Sequence, residues 1–332
     1  MNGVDVIVPC YRYGRFLKTC VGSVLDQQNV AVRVLIIDDC SPDNTADVAR
    51  QLQVEDERVS FIRHVSNQGH IATYNEGIAW AHSEYYLLLS ADDYLLPGAL
   101  SRTVSFMEDH PSVTLAFGQA IVQREQAEAP QAPPAPVDAE WELVSGRGFI
   151  ERSGARNCVP TPAAVVRTAV QKSVGGYRPD LPHAGDMEMW LRLAAHGDVG
   201  ISQAFHAVYR RHSDNMSLNY TKSHWLPDLK QRQAALDSFF RTVDLGDQER
   251  EILRRKAFRQ LANEAVSFAS AAFNGGDLAT SQQLSDFALQ LDSNIRGSVA
   301  WLKLVGKRTV GVAKWLGVRS SVSRIRGALQ ME

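Results

Sequence analysis

Residues 85–100 read YYLLLSADDYLLPGAL, and the fold turns on how this stretch is read. Tyr85 to Leu89 form a run too apolar to have a wet face, and two adjacent carboxylates, Asp92 and Asp93, follow almost at once. A strand that is apolar on both sides belongs inside a sheet covered on both faces. Parallel sheets of this kind bind ligands in the crevice beyond the carboxyl ends of their strands. Two negative charges at that exit therefore mark a candidate site.

The flanking sequence alternates in type. Val4 to Val8 is a short apolar run ending at Pro9, and Gly14 to Gln27 has helical spacing at Phe16, Leu17, Val21, Val24 and Leu25. Val32 to Asp38 reads as a second strand. SPDNTADVARQL opens a helix, with Ser or Asp as N-cap candidates and Pro42 in its first turn. VSFIRH is a third strand, Gly69 to His82 a helix, Gly98 to Asp109 another, and VTLAFGQAIV one more strand. This order predicts right-handed crossovers and parallel strands, a doubly wound α/β domain. Asp38, Asp39, Asp92 and Asp93 all fall at strand ends.

The segment 124–140 holds four prolines in seven residues, which excludes regular structure and predicts an exposed loop. Beyond it, AVVRTAVQKSVGGY reads as a strand, a short helix and a Gly-Gly stop. Asp186 to Gly197 reads as a helix with its own C-terminal glycine. AVYRRHSDNMS is a strand or ribbon leading to a polar loop. From about Trp225 onward Ala, Gln, Leu and Arg dominate, and two helices are joined by NGGD. The division expected is a domain over 1–220 and a helical region over 221–332. The last stretch, from Val299, carries seven Lys or Arg and one acid.

Bulk properties narrow the function. The chain has 332 residues, 22% of them charged, with a net charge of -2, so nucleic acid is not an expected partner. Cys10, Cys20, Cys40 and Cys158 form no CxxC pair, which leaves a zinc ribbon unsupported and suits a reducing cytoplasm. The N-terminus reads as a strand that begins at once, not as a signal peptide, and no 18-residue uncharged apolar run predicts a spanning helix.

Four pieces occur in order over about residues 3–215: VIVPCYRYGRFLKTCVGSVLDQ, VLIIDDCSPDNTADVA, NQGHIATYNEGIAWAHSEYYLLLSADDYLLPGAL and GDMEMWLRLAAHG. Together they resemble the family 2 glycosyltransferases of GT-A fold, mostly inverting enzymes that use nucleotide sugars. The resemblance implies a mixed, mostly parallel α/β sheet flanked by helices, with a C-terminal helical extension. It implies that Asp93 is a metal ligand, for Mg2+ or Mn2+, in a DxD-like element, and that Asp92 faces the donor ribose or sugar. A cation there would relieve the repulsion between these acids and a diphosphate. Ser90 stands where many relatives carry a further acid.

By the same resemblance Asp39 accepts a hydrogen bond from the nucleobase, and Pro9 and Tyr11 line the base pocket. The Asn- and Gly-rich helix start is carried here by Asn67, Gly69, Ala72, Asn75 and Gly77, with Asn67 and Gly69 next to the donor. Asp186 is the base that deprotonates the acceptor hydroxyl, while Gly185 replaces the acid that usually precedes it. His212, in YRRHSDNMS, contacts the metal or the diphosphate, and Arg210 or Arg211 the phosphate. Each position also has a purely structural reading: helix capping for Asp39, Asp93 and Asp186, close packing for Asn75 and Gly77, and a core ring for Tyr11.

The implied activity is an inverting, metal-dependent transfer from a UDP-linked sugar to a carbohydrate or lipid-linked acceptor in cell-envelope polysaccharide or glycolipid synthesis. The alternatives are a noncatalytic sugar-nucleotide-binding scaffold and a nucleotidyltransferase. The basic, Trp-containing segment 297–332 is either an amphipathic helix on an anionic membrane surface or a bundle helix with a solvated face. The expected place of work is the cytoplasm, at or away from the membrane face.

Overall fold

The computed structural model describes residues 3–124, 141–216, 218–221, 225–311 and 315. In chain order it runs β1 (Gly3–Cys10), α1 (Gly14–Leu25), β2 (Ala31–Asp38), α2 (Thr45–Glu55), β3 (Val59–Arg63), α3 (His70–Trp80), β4 (Tyr85–Leu88), β5 (Tyr94–Leu95), α4 (Ala99–Asp109) and β6 (Val113–Arg124). There follow β7 (Trp141–Val144), α5 (Gly146–Ser153), β8 (Ala164–Arg167), α6 (Thr168–Val174), α7 (Gly185–Ala194) and β9 (Asp198–Arg211). The Pro- and Ala-rich loop expected at 124–140 lies, apart from Arg124, outside the described residues.

One sheet carries the order β3-β2-β1-β4-β8-β6-β9-β5, with β7 added against β9. β1, β2, β3, β4, β6 and β9 run one way, and β5, β7 and β8 the other. The sheet is thus mixed and mostly parallel. It departs from a doubly wound sheet where β8 enters antiparallel between β4 and β6. That insertion needs no crossover helix, because an antiparallel neighbour can enter from the other end of the sheet.

Burial explains the strand composition. Val4, Val6, Ile7 and Val8 in β1, and Leu35, Ile36 and Ile37 in β2, are fully buried. Each such side chain contributes roughly 1.5–3 kcal/mol relative to exposure. Gly77 of α3 lies directly over Ile7, where a Cβ would collide with the isoleucine side chain, so this glycine serves close packing. The buried small residue one turn earlier is Thr73, with Ala72 only half-buried.

The register sets where the strands stop. Cys10 pairs with Asp38, and the Asp39 N–H donates to the Cys10 carbonyl at 2.9 Å, so Tyr11 and Asp39 leave the sheet side by side. β4 pairs with β1 up to Ile7–Leu88, and Ser90 to Asp93 turn away at the same edge. The helix predicted to begin near Pro42 starts instead at Thr45. Asp38 Oδ1 accepts from the Ser41 N–H at 2.9 Å and Asp43 Oδ1 from the Thr45 N–H at 3.2 Å, which holds 41–44 as a loop.

The chain divides into two units, Met1–Asn215 with Arg241–Asp244, and Met216–Phe240 with Leu245–Glu332. The second contains α8 (Leu218–Thr221), most of α9 (Leu226–Thr242), α10 (Asp247–Asn274), α11 (Leu278–Leu291) and α12 (Val299–Val310). α10 and α11 are joined as the NGGD turn predicts: Gly276 has φ 83°, and Asp277 caps α11 by accepting from the Thr280 N–H at 3.0 Å. No described helix is long and apolar enough to cross a membrane. Most of the basic tail, 312–314 and 316–332, lies outside the described residues.

Candidate active site

The site collects at the carboxyl ends of β1, β2, β3 and β4. Here the backbone turns abruptly: Arg12 and Cys40, just past β1 and β2, have φ of 65° and 60°. Non-glycine residues adopt such angles only where surrounding structure holds them. Arg12 is held by its N–H donating to Ser41 Oγ at 2.9 Å. Pro9 is half-buried and Tyr11 exposed, so the tyrosine ring is not a core residue.

Asp39 is buried and surrounded by donors. Its Oδ1 accepts from the Gln68 N–H at 2.7 Å and stands 2.7 Å from His64 Nδ1, while Oδ2 accepts from the Gly69 N–H at 2.8 Å. The Asn67 side chain donates to the Asp39 carbonyl at 3.2 Å and accepts from the Gly69 N–H at 3.2 Å. Asn67 and Gly69 therefore shape the loop that holds Asp39. The N–H groups of Gln68 and Gly69 are committed to this carboxylate. A carboxylate has about four acceptor positions. Three are used, and one on Oδ2 remains.

Asp92 and Asp93 are both buried at the exit of β4. Burial first, then the neighbouring charge of Asp92, pushes the Asp93 carboxyl well above its ordinary range, against the N–H and charge of Arg210. Asp93 Oδ1 accepts from the Arg210 N–H at 2.9 Å. His212 approaches Asp92 rather than Asp93, with Nε2 2.9 Å from Asp92 Oδ2, and the Asn215 side chain donates to the same oxygen at 3.3 Å. The His212 ring packs edge-on to Tyr13, centroids 5.4 Å apart. Arg210 lies over the rings of Phe16 and Tyr94 and donates to the Asp92 carbonyl at 3.0 Å, while Arg211 is exposed.

These donors suit a hard divalent cation. Carboxylate oxygens are ligands that Mg2+ or Mn2+ accepts, whereas His212, expected as a ligand, has Nδ1 accepting from the Asp214 N–H at 3.2 Å, so its Nε2 proton faces Asp92 and the ring orients that carboxylate. Among the described residues no group of three or more His, Cys, Asp or Glu is arranged to hold a metal by itself. The set fits a cation that takes one or two protein ligands and completes its shell with substrate phosphates and water.

Asp186 sits in the first turn of α7. Its Oδ2 accepts from Asn157 Nδ2 at 2.7 Å and from the Thr161 hydroxyl at 3.3 Å, and Oδ1 accepts from the Met187 N–H at 2.8 Å. Burial raises its pKa, outweighing the Met187 N–H, His183, Thr161 and Asn157. A carboxylate more basic than usual, with one acceptor position open, has the properties of a general base. Glu188, two residues along, is fully buried between Arg178 and Arg192, at 2.7 and 2.8 Å, and is structural.

Tyr74 on α3 packs edge-on to Tyr177, centroids 5.3 Å apart. Burial raises the pKa of its hydroxyl, and the charges of Asp186, Asp92 and Asp93 raise it further. The α3 face also fixes the loop before α7. Asn75 donates to the Tyr177 carbonyl at 2.9 Å and accepts from the Tyr177 N–H at 2.7 Å, and His70 Nε2 lies 2.9 Å from the Pro182 carbonyl. Sequence reasoning missed His64, Tyr74, Asn157, Thr161 and Asn215. Of these only His64 carried a signal, as the last residue of the VSFIRH run, one position past β3.

Comparison with known proteins bears on the family and the fold. Residues 5–172 match Glycosyl transferase family 2. A putative teichuronic acid biosynthesis glycosyltransferase of Bacillus subtilis, TuaG, is 29% identical over 122 residues, 37% of this chain and 48% of that one. The chain spans 48% to 61% of the length of the first curated relatives it matches. Among solved structures, S. aureus TarS 1-349 in complex with UDP-GlcNAc superposes with a TM-score of 0.65 at 17% identity, covering 97% of this chain and 92% of that one. Mannosyltransferase PcManGT from Pyrobaculum calidifontis, in complex with GDP-Man and Mn2+, gives a TM-score of 0.59 at 14% identity over 94% and 87% of the two chains. The architecture is that of GT-A glycosyltransferases, and with the family match covering half of the sequence, this chain belongs to glycosyl transferase family 2.

Proposed function

We propose that the protein is an inverting glycosyltransferase that moves a sugar from a nucleotide-diphosphate sugar, UDP-linked, to an acceptor hydroxyl. The observation that carries this reading is the placement of Asp39, Asp92 and Asp93 at the carboxyl edge of one sheet, where β1, β2 and β4 stop together. Asp39 Oδ2 would accept the N–H of the base, with Pro9 and Tyr11 beside it. Asp93 would hold Mg2+ or Mn2+, and Asp92, oriented by His212, would face the donor. When bound, that cation offsets charge on the departing diphosphate.

Asp186 takes the proton from the acceptor hydroxyl through the open position on Oδ1. The acceptor oxygen then forms a bond to the anomeric carbon as the bond from that carbon to the diphosphate oxygen breaks on the opposite face. The configuration inverts in this one displacement, and the electron pair leaves with the diphosphate. Asn157 and Thr161 keep the carboxylate aimed throughout. Release of UDP from a panel of UDP-sugars, with Mn2+ and with or without candidate acceptors, tests the reading. A wild-type protein that binds UDP-sugars yet releases no UDP with any acceptor supports the scaffold instead.

The relatives point to cell-envelope polysaccharide or glycolipid as the acceptor class, since TuaG is named for teichuronic acid biosynthesis and a Campylobacter jejuni relative for an undecaprenol-linked glycan. An acceptor of that kind places the enzyme at the cytoplasmic membrane face. α12 supports a surface contact: Val299, Leu302, Val305 and Val310 are exposed on a helix with Lys303 beside them. Flotation with anionic vesicles, with and without residues 297–332, tests this. Equal flotation of the two forms removes that role from the segment.

A further inference from the structure

His64 lies between two carboxylates. Nδ1 is 2.7 Å from Asp39 Oδ1 and Nε2 is 2.6 Å from Glu76 Oε2, and the ring is buried, with its side chain 5% exposed. Both neighbours are acceptors when ionised, so each ring nitrogen donates and the ring carries a positive charge. Its pKa follows: burial opposes the charge, but the bonds to Asp39 and Glu76 outweigh burial and raise it. The backbone N–H of His64 donates to the Asp38 carbonyl at 2.9 Å, which fixes the residue at the end of β3 beside the second strand.

The consequence lies at Asp39. His64 and the Gln68 N–H together occupy Oδ1, and the Gly69 N–H takes one position on Oδ2. The carboxylate cannot rotate without breaking all three bonds. Its remaining lone pair is therefore presented in one direction, as an acceptor. Uracil N3–H or guanine N1–H satisfies an acceptor there, whereas cytosine N3 and adenine N1 are themselves acceptors and leave a buried lone pair facing a lone pair.

We propose that His64, braced by Glu76, is a positioning and specificity residue that makes the Asp39 subsite select nucleoside diphosphates whose base presents a ring N–H. The inference rests on the functional reading above, in which Asp39 meets the base. It adds a residue outside the motifs that carry the family likeness, and it disfavours cytidine and adenosine donors, which can meet Asp39 only by shifting an exocyclic amine onto it.

Three variants separate positioning from packing. His64→Asn puts an amide N–H where Nδ1–H stands and keeps the bond to Asp39. His64→Gln reaches toward Glu76 and loses the bond to Asp39. His64→Leu keeps bulk and loses both. Titration calorimetry of the full chain with UDP and with CDP, each with Mg2+, reads the outcome. The wild type should bind UDP more tightly than CDP. His64→Asn should keep that preference, while His64→Gln and His64→Leu should raise the UDP Kd about tenfold or more and narrow the UDP-to-CDP ratio. With a UDP-sugar the loss should fall on KM rather than kcat. Where His64→Leu fails to fold, the Asn-to-Gln comparison decides. An unchanged UDP-to-CDP ratio in His64→Gln overturns this inference alone, and a wild type that binds no nucleoside diphosphate overturns it together with the transferase reading.

Discussion

Replacing Asp186 by Asn isolates the proton transfer from everything else the residue does. Oδ2 carries two donors, Asn157 Nδ2 and the Thr161 hydroxyl, and Oδ1 carries one, the Met187 N–H. The amide will keep its oxygen where two donors converge and set its NH2 in place of Oδ1. One hydrogen bond, to the Met187 N–H, is lost, at a cost of about 1 kcal/mol. Against this, burial raises the Asp186 pKa, so its charged form is disfavoured in the fold. A carboxylate with a raised folded pKa loses stability as pH rises from the unfolded value through the folded one. Removing the charge therefore gains stability at neutral pH, and the two effects oppose. The Tm should move little. The rate should fall by about 10²–10⁴, the usual worth of a positioned base, or roughly 3–5 kcal/mol of barrier. In the wild type kcat/KM should decline as pH falls through the raised pKa of Asp186, and the variant should lose that limb. The assay is UDP release across pH with the acceptor present, alongside UDP affinity by calorimetry. Turnover at the wild-type rate would refute Asp186 as the base.

Asn157→Ala should lower kcat about tenfold with KM for the donor unchanged, because it frees Asp186 Oδ2 without touching the base subsite. Asp5→Ala should cost about 3 kcal/mol in urea denaturation, since buried Asp5 accepts from the His82 and Ser83 N–H groups and the Ser83 hydroxyl; its bond to half-exposed Arg33 adds little. Burial would raise the Asp5 pKa, but Arg33 first, then the Ser83 and His82 donors, lower it overall, so its contribution is present above the unfolded value and is lost as pH falls through the folded one. Gly77→Ala should destabilise by about 1–3 kcal/mol through collision with Ile7, read from the thermal midpoint. Chelation with EDTA should lower UDP release, and Mn2+ should restore it in the wild type but not in Asp93→Asn.

What the sequence revealed, and what it hid, follows from the range of the interactions. The apolar runs ending at Pro9, Asp38 and Leu89 were legible because a strand buried on both faces has few polar positions, Asp5 of β1 being a buried exception held by its own donors. Their acids were legible because a charge at the end of such a run has few other uses. The partners of those acids were not. His64 and Asn157 lie 25 and 29 residues from Asp39 and Asp186, and nothing local records that they meet. The antiparallel entry of β8 between β4 and β6 was hidden for the same reason, because pairing register is a property of two distant segments. Thr73 rather than Ala72 as the buried small residue of α3 shows the limit from the other side. A motif gives the helix, while the face it buries depends on where Ile7 lies.

The claim that joins these observations is that Asp39, Asp93 and Asp186 serve one bound nucleotide sugar. A crystal structure with UDP and Mn2+, read with anomalous scattering at the manganese edge, tests it most directly. The account predicts the base N–H on Asp39 Oδ2, an anomalous peak beside Asp93 and the diphosphate, and an open path from the anomeric position to Asp186 Oδ1. Manganese elsewhere, or a base that leaves Asp39 untouched, would contradict it.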